Sequence, residues 1–206
     1  MRSLRIGDCD VDIIPIVKGL ISERQKAVDA LANKNYEAAA VAWSIQSIEA
    51  VRRRAEITDE YDVDDLDTIY SYKLTEFGPI DRPDPAFTYV IDTYAERGRQ
   101  VIPLDMTDED YTDAYCRCVS TFDFLKENKI VKKAMKREFT KESPEAFVRE
   151  WDALVNEIKG YRKLSEVREE YIAEQIKDIA RYRKSALILV EYERFDGIMR
   201  MLEGQE

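Results

Sequence analysis

The sequence predicts an α/β fold: a central, mostly parallel sheet flanked by helices, with a helical insertion before the last strand. Short apolar runs alternate with longer amphipathic segments along the 206 residues, and strands separated by long helices form parallel sheets. The last run, "ALILV" at 186–190, is apolar throughout, which is typical of a strand covered on both faces. The length suits a single domain, 1–206.

Composition limits the function. The chain is 45% hydrophobic and 36% charged, enough apolar material for a core under a charged surface. A formal net charge of −10 argues against nucleic acid as a partner and against a whole-surface preference for anionic membranes. One local group of cations is better explained as a solvated helix face; it comprises Lys129, Lys132, Lys133, Lys136 and Arg137.

Histidine is absent and cysteine is rare. With no histidine, the chain has neither a histidine general base nor a histidine-ligated metal. There are three cysteines, Cys9, Cys116 and Cys118. A low and odd number argues against a disulfide scaffold and favours a reducing compartment. No apolar run reaches membrane-spanning length and the N-terminus lacks a signal-peptide core, so we expect a cytoplasmic protein with no membrane span.

The first elements follow from short patterns. "SLRI" at 3–6 predicts a strand that Gly7 ends. For the next segment, to residue 35, we expect a helix with Asp12 as its N-cap and Pro15 in its first turn. "AAAVAWS" at 38–44 predicts the second strand, and "SIEAVRRRAEI" at 47–57 the next helix. Residues 57–83 begin with an acidic run that lacks the glycine and the closing glutamate of a calcium loop, so we expect a solvated acidic loop.

Capping residues mark the later helices. Asp84 followed by Pro85 predicts a helix start, and "QVIPLD" at 100–105 a strand. Thr107 opens a mainly helical region, 107–184. Within it we expect a helix that begins at Ser143 and Pro144 and ends at Gly160, then a long helix that leads to the final strand.

Several patches match a known family in order and spacing. "LRIGDCDVD" has the place of an opening Gly-x-x-His motif, with Gly7 retained and Asp10 instead of the histidine. Ser44 stands at the position of a second-strand glutamate, and "VIPLDM" keeps the aspartate, Asp105, of an Asp-Arg pair. "VREEYIAEQI" is similar to an Arg-Asp-x-x-Met-Ala run, with Arg168 as its arginine. "LVEYERFDGI" keeps Gly197 and Ile198 but replaces a Gly-x-Gly-His turn by residues 191–194.

In these patches the chain resembles the TraB/PrgY family, which is grouped with Tiki-type proteases, erythromycin esterases and ChaN-like proteins. The resemblance implies a TraB-like α/β domain. It does not carry the family's presumed metal-linked hydrolysis to this chain, because both signature histidines are missing. We therefore expect a protein that has lost hydrolase activity and acts by ligand binding or protein assembly, as a homodimer or with a protein partner.

The resemblance also predicts a pocket at the carboxyl end of the sheet; its candidate residues are Asp8, Asp10, Asp105, Arg168, Glu191, Glu193 and Arg194. We expect Arg194 to pair with Asp10 or Asp8 and close the former site. One alternative is a Mg²⁺ or Ca²⁺ site of a carboxylate-liganded hydrolase, with ligands from Asp8, Asp10, Asp105, Glu191 and Glu193. Others are an organic ligand held by Arg168, Arg194 and tyrosines, and an interaction module formed by the helices from Asp108 to Gly160.

Overall fold

A five-stranded sheet forms the centre of the described chain. The computed structural model describes residues 1–56 and 65–204. The strands are β1 (Arg2–Ile6), β2 (Cys9–Ile16), β3 (Ala38–Val41), β4 (Ile102–Pro103) and β5 (Ser185–Glu191). Their spatial order is β1-β2-β5-β3-β4; β1 pairs with β2 antiparallel, and the other three pairings are parallel. The predicted mostly parallel α/β sheet is confirmed.

Helices flank this sheet. They are α1 (Arg24–Asn33), α2 (Ile45–Arg52), α3 (Asp65–Leu74), α4 (Pro85–Glu96), α5 (Asp108–Cys118), α6 (Thr121–Lys136), α7 (Pro144–Val155), α8 (Lys159–Tyr182) and α9 (Tyr192–Leu202). Four of them, α5 to α8, lie between β4 and β5 and form the predicted helical insertion. None of the helices in the described ranges is long and apolar enough to cross a membrane.

The prediction of a helix that begins after Asp12 is wrong, because residues 9–16 form strand β2. Val11, Ile13, Ile14 and Ile16 are almost completely buried, so the run is covered on both faces like β5. Asp12 does not cap a helix; its carboxylate accepts hydrogen bonds from Ser3, Lys34 and Tyr36. The first helix of the chain begins only at Arg24.

Two boundaries in the later chain also differ from expectation. Part of the predicted acidic loop, from Asp65 to Leu74, is helix α3; the segment 57–64 lies outside the described residues. Gly160 does not end a helix but lies in the first turn of α8. A Cβ atom there would stand 2.9 Å from the carbonyl oxygen of Cys118, so glycine allows α8 to approach the end of α5 closely.

The predicted caps of three helices are confirmed. Asp84 caps α4, Thr107 caps α5 and Ser143 caps α7 through side-chain oxygens. Ser44, at the position of the family's glutamate, caps α2 by accepting from the Ser47 amide. Each cap satisfies a backbone N–H that the helix itself leaves without a partner.

Buried apolar side chains form two main groups. The larger one covers both faces of the sheet, with α1, α4, α8 and α9 against it. The second lies beside the carboxyl end of β2, between α3, α6 and α7, and is rich in aromatic rings; its largest members are Tyr70, Phe139, Phe147 and Trp151. The loop after β2 joins this second group through Val17 and Leu20.

Candidate functional site

The carboxyl ends of the four parallel strands lie at one edge of the sheet. Lys18 follows β2, Trp43 follows β3, Asp105 follows β4, and Glu191 is the last residue of β5. In open α/β sheets, ligands bind in a crevice outside these ends. A crevice of about 260 Å³ lies here, lined by Lys18, Gly19, Trp43, Asp67, Tyr70, Ser71, Asp81, Arg82, Pro83 and Asp84.

Asp84 fixes one wall of this crevice. Its Oδ1 atom accepts from the Ala86 and Phe87 amides at the start of α4, and its Oδ2 atom accepts from the Gly19 amide at 2.8 Å. Gly19 has φ +94°, a conformation that favours glycine. The carboxylate is buried, which raises its pKa in spite of these three hydrogen bonds. One side chain therefore joins the loop after β2 to α4.

Lys18 stands between the crevice and a buried group of acids. Its side chain is 39% exposed, its Nζ atom lies 3.8 Å from Asp67 Oδ1, and it lies 5.8 Å from the centre of the Tyr70 ring. Burial disfavours the ammonium charge, but the carboxylates of Glu191, Asp67 and Glu193 outweigh that effect and raise the Lys18 pKa. Lys18 is therefore a fixed positive charge at neutral pH.

Glu191 is held by Arg168. The guanidinium of Arg168 lies 3.6 Å from Glu191 Oε2 and donates from Nε to Asp105 Oδ2 at 3.1 Å, with a second contact from Nη2 to the same carboxylate. Burial disfavours ionised Glu191, but Arg168, Lys18 and Arg194 outweigh it and lower its pKa. Arg168 therefore bridges the ends of β4 and β5 as a neutralising cation.

Glu193 differs from Glu191 in its environment. Burial and the neighbouring charge of Glu191 raise the pKa of Glu193. Its Oε2 atom is buried and accepts no hydrogen bond from the described residues. The two glutamates thus lie side by side at the start of α9 with their pKa values shifted in opposite directions.

Arg194 turns away from this pair, toward α7 and α8. Its Nη2 atom lies 3.4 Å from Asp152 Oδ1, and its Nη1 atom lies 3.4 Å from Glu169 Oε1. Glu169 is buried directly over Gly197, where an added Cβ would stand 1.9 Å from Glu169 Oε2. Arg194 therefore ties α9 to the two helices packed on it.

The structure brings together five of the seven predicted pocket residues; they are Asp105, Arg168, Glu191, Glu193 and Arg194. The prediction that Asp8 and Asp10 join them is wrong. Asp8 is in the turn between β1 and β2, and Asp10 is opposite Ser185 at the start of β5, so both lie at the amino end of the parallel strands. Asp10 contacts Arg5 at 3.4 Å, and the expected ion pair with Arg194 does not form.

The expected five-carboxylate metal site is divided in the same way, because two of its members are at the opposite edge of the sheet. Across residues 1–56 and 65–204, no group of three or more acidic or cysteine side chains is placed to hold a metal ion. At the carboxyl edge, Asp105 and Glu191 are both engaged by Arg168. The residues present there do not fit the Mg²⁺ or Ca²⁺ site.

Sequence reasoning missed the crevice residues Lys18, Trp43, Asp67 and Tyr70. The sequence contains a signal for Lys18: "KG" at 18–19 directly follows the apolar run that ends at Val17. If that run is assigned as a strand, Lys18 and Gly19 fall at the carboxyl edge, where sites are expected. Tyr70 carries no such signal, because it reaches the crevice only through the packing of α3.

Comparison with known proteins adds no assignment to this geometry. No protein-family model matches the chain, and no curated protein matches it.

Proposed function

We propose that this protein is a TraB-like chain without hydrolase activity that binds a small molecule in the crevice at the carboxyl edge of its sheet. One observation carries the proposal. The crevice lies where β2 and β3 end on either side of β5, and a charged side chain, Lys18, and an aromatic one, Trp43, line it together. Crevices at this position are the usual ligand sites of open α/β sheets.

The lining favours a compact, polar ligand. The volume of about 260 Å³ is below the roughly 300–1,000 Å³ of pockets for drug-sized ligands. Trp43 is held edge-on against Phe87, with ring centroids 4.9 Å apart, and so offers a rigid apolar wall. Lys18 remains protonated, so its role is to bind ligand oxygens as a cation rather than to act as a base or nucleophile.

The charged groups near the crevice support a binding role rather than hydrolysis. A hydrolase needs a carboxylate, an imidazole or a bound metal that is free to activate water. The chain has no histidine, and Arg168 holds both Asp105 and Glu191. Glu193 is not among the residues that line the crevice. The long side chains of residues 191–194 also replace the glycine-rich turn of the resembled family.

A ligand screen tests this proposal. A library of small polar metabolites is added to the wild-type protein and to Lys18→Gln, and thermal unfolding is followed. Compounds that bind in the crevice should stabilise the wild type, by about 2.7 kcal/mol at a hundredfold excess over Kd, and should lose most of that effect in Lys18→Gln. Lys163→Gln, an exposed lysine in α8, is the matched control and should respond like the wild type.

Two results would contradict the proposal. One is a set of stabilising compounds that act equally on the wild type and Lys18→Gln. The other is hydrolysis of p-nitrophenyl acetate or of a peptide by the pure protein, abolished in Glu191→Gln.

A further inference from the structure

Helix α6 exposes more large apolar side chains than any other element in the described ranges. Phe122 is 77% exposed, Phe124 57%, Leu125 59% and Met135 63%. Three of the four are in the first turn and a half of the helix. Single exposed apolar residues are common, but such a concentration on one element marks an interaction surface.

The same outer face carries lysines and no carboxylate. Phe122, Leu125, Lys129, Lys132 and Lys136 follow one another at spacings of three or four residues, so they form one stripe along the helix. All five are exposed. Lys129, Lys132 and Lys136 make no salt bridge with any residue that the structure describes.

The acidic residues of α6 point the other way. Asp123 is buried at the start of the helix, where it completes a capping box with Ser120. Glu127 accepts a hydrogen bond from Tyr161. Ile130 and Ala134 lie on this inner side and are buried, so the helix is anchored with its apolar and basic stripe directed outward.

The local charge is opposite in sign to that of the whole chain. Helix α6 has five lysines and two acids, a formal charge of +3, in a chain of formal net charge −10. A symmetric contact between two copies through this face is disfavoured, because it would bring three lysines of each copy into one interface. An outward helix with apolar side chains beside lysines instead matches the interface of an anionic bilayer.

We propose that α6 is a membrane-surface docking element for anionic lipid. Phe122 and Leu125 enter the boundary between headgroups and acyl chains. Lys129, Lys132 and Lys136 contact the lipid phosphates, with their long stems along the apolar region. The acidic remainder of the protein faces water. This surface is distinct from the crevice and does not depend on the proposed function.

Vesicle co-sedimentation tests the docking. We expect the full chain to bind vesicles of phosphatidylcholine mixed with phosphatidylserine, and to bind vesicles of phosphatidylcholine alone much more weakly. Each lysine near an anionic surface contributes about 1 kcal/mol. Lys129→Gln/Lys132→Gln/Lys136→Gln should therefore weaken binding by about a hundredfold at low salt. Phe122→Ser/Leu125→Ser should also weaken it, because the apolar contact is lost.

Matched variants separate docking from general effects. Arg52→Gln/Lys163→Gln/Lys184→Gln removes three exposed cations elsewhere, and Tyr72→Ser/Tyr182→Ser removes two side chains that are 74% and 73% exposed; both should bind like the wild type. Circular dichroism confirms that each variant is folded. The proposal is overturned if the wild type ignores phosphatidylserine, if the control variants lose as much binding as the α6 variants, or if sedimentation velocity shows a dimer that Phe122→Ser/Leu125→Ser abolishes.

Discussion

The charged residues at the end of β5 and the start of α9 differ in their partners. Glu191 is neutralised by Arg168, and Arg194 bridges Asp152 and Glu169. Glu193 has a buried Oε2 atom that accepts no hydrogen bond from the described residues. The sequence predicts that charges gather there, because they follow a buried strand. It does not predict the partners, since these come from helices that are far away in the chain. The predicted pairing of Arg194 with Asp10 or Asp8 is wrong for that reason.

At the residue scale, Gly197 gives the sharpest prediction. Glycine to alanine in the middle of a helix normally stabilises by about 0.5–1 kcal/mol. Here the new Cβ would stand 1.9 Å from Glu169 Oε2 and 2.3 Å from its Cδ. Gly197→Ala should therefore destabilise by about 1–3 kcal/mol through overpacking, measured by urea unfolding.

The Glu169→Ala background is the control for this prediction. It removes the clashing carboxylate, so Gly197→Ala should become neutral or slightly stabilising there. An equal loss in both backgrounds would show that the two residues do not interact.

At the scale of elements, β2 is the main failure of sequence reasoning, and its cause is Pro15. A proline after a capping aspartate predicts the first turn of a helix, where the missing N–H costs little. The Asp10 N–H donates to the carbonyl oxygen of Lys184. Even-numbered residues of β2 therefore direct their N–H and C=O groups toward β5, and odd-numbered residues such as Pro15 direct theirs toward the β1 side. Pairing with β1 stops at Ile13, and the missing N–H of Pro15 therefore costs no sheet hydrogen bond.

The dual role of Asp84 leads to a prediction at the scale of elements. Ser143 only caps α7, so Ser143→Ala should cost about 1 kcal/mol. Asp84→Ala removes the α4 cap and also leaves the Gly19 N–H without its acceptor, so it should cost about 2–3 kcal/mol. Urea unfolding of both variants at neutral pH measures the difference. Equal losses would mean that the contact with Gly19 contributes nothing.

At the scale of the whole molecule, the sequence predicts the sheet correctly, but it does not predict correctly which residues lie at the amino ends and which at the carboxyl ends of the parallel strands. Leu4, Val41, Ile102 and Ile188 all lie in the sheet, as their short apolar runs indicated. The first strand, however, is joined to β2 by a tight turn at Gly7, which has φ +58°. If β2 is taken as a helix, Asp8 and Asp10 follow the first strand and are predicted at the carboxyl edge, whereas the structure has them at the amino edge.

The pH dependence of stability should carry opposite signs for Glu193 and Asp12. Burial and Glu191 raise the pKa of Glu193 above its ordinary 4.5, so stability present below that pH is lost as pH rises through the folded value. Burial opposes ionised Asp12, but hydrogen bonds from Lys34, Ser3 and Tyr36 lower its pKa below the ordinary 3.8. Its contribution is present above that pH and is lost as pH falls.

Glutamine and asparagine replacements measure these signs. Relative to the wild type, Glu193→Gln should gain stability as pH rises from about 4 to about 8, because the variant no longer ionises. Asp12→Asn should lose relative stability as pH rises from about 2 to about 5, because ionised Asp12 begins to stabilise the wild type in that range. Urea unfolding at several pH values tests both variants, and a shift of the same sign in both would refute the prediction.

The position of β5 in the sheet has a consequence for the order of folding. Strand β5 lies between β2 and β3, and its first residue, Ser185, pairs with Asp10. The middle of the sheet is therefore completed by a strand that is synthesised long after its two neighbours. Such distant pairing is slow, because a long loop must close first. A nascent chain that has not yet reached residue 185 exposes one unpaired edge on β2 and another on β3. Both edges are rich in apolar residues, and they are the places where an incomplete chain would capture another copy of itself.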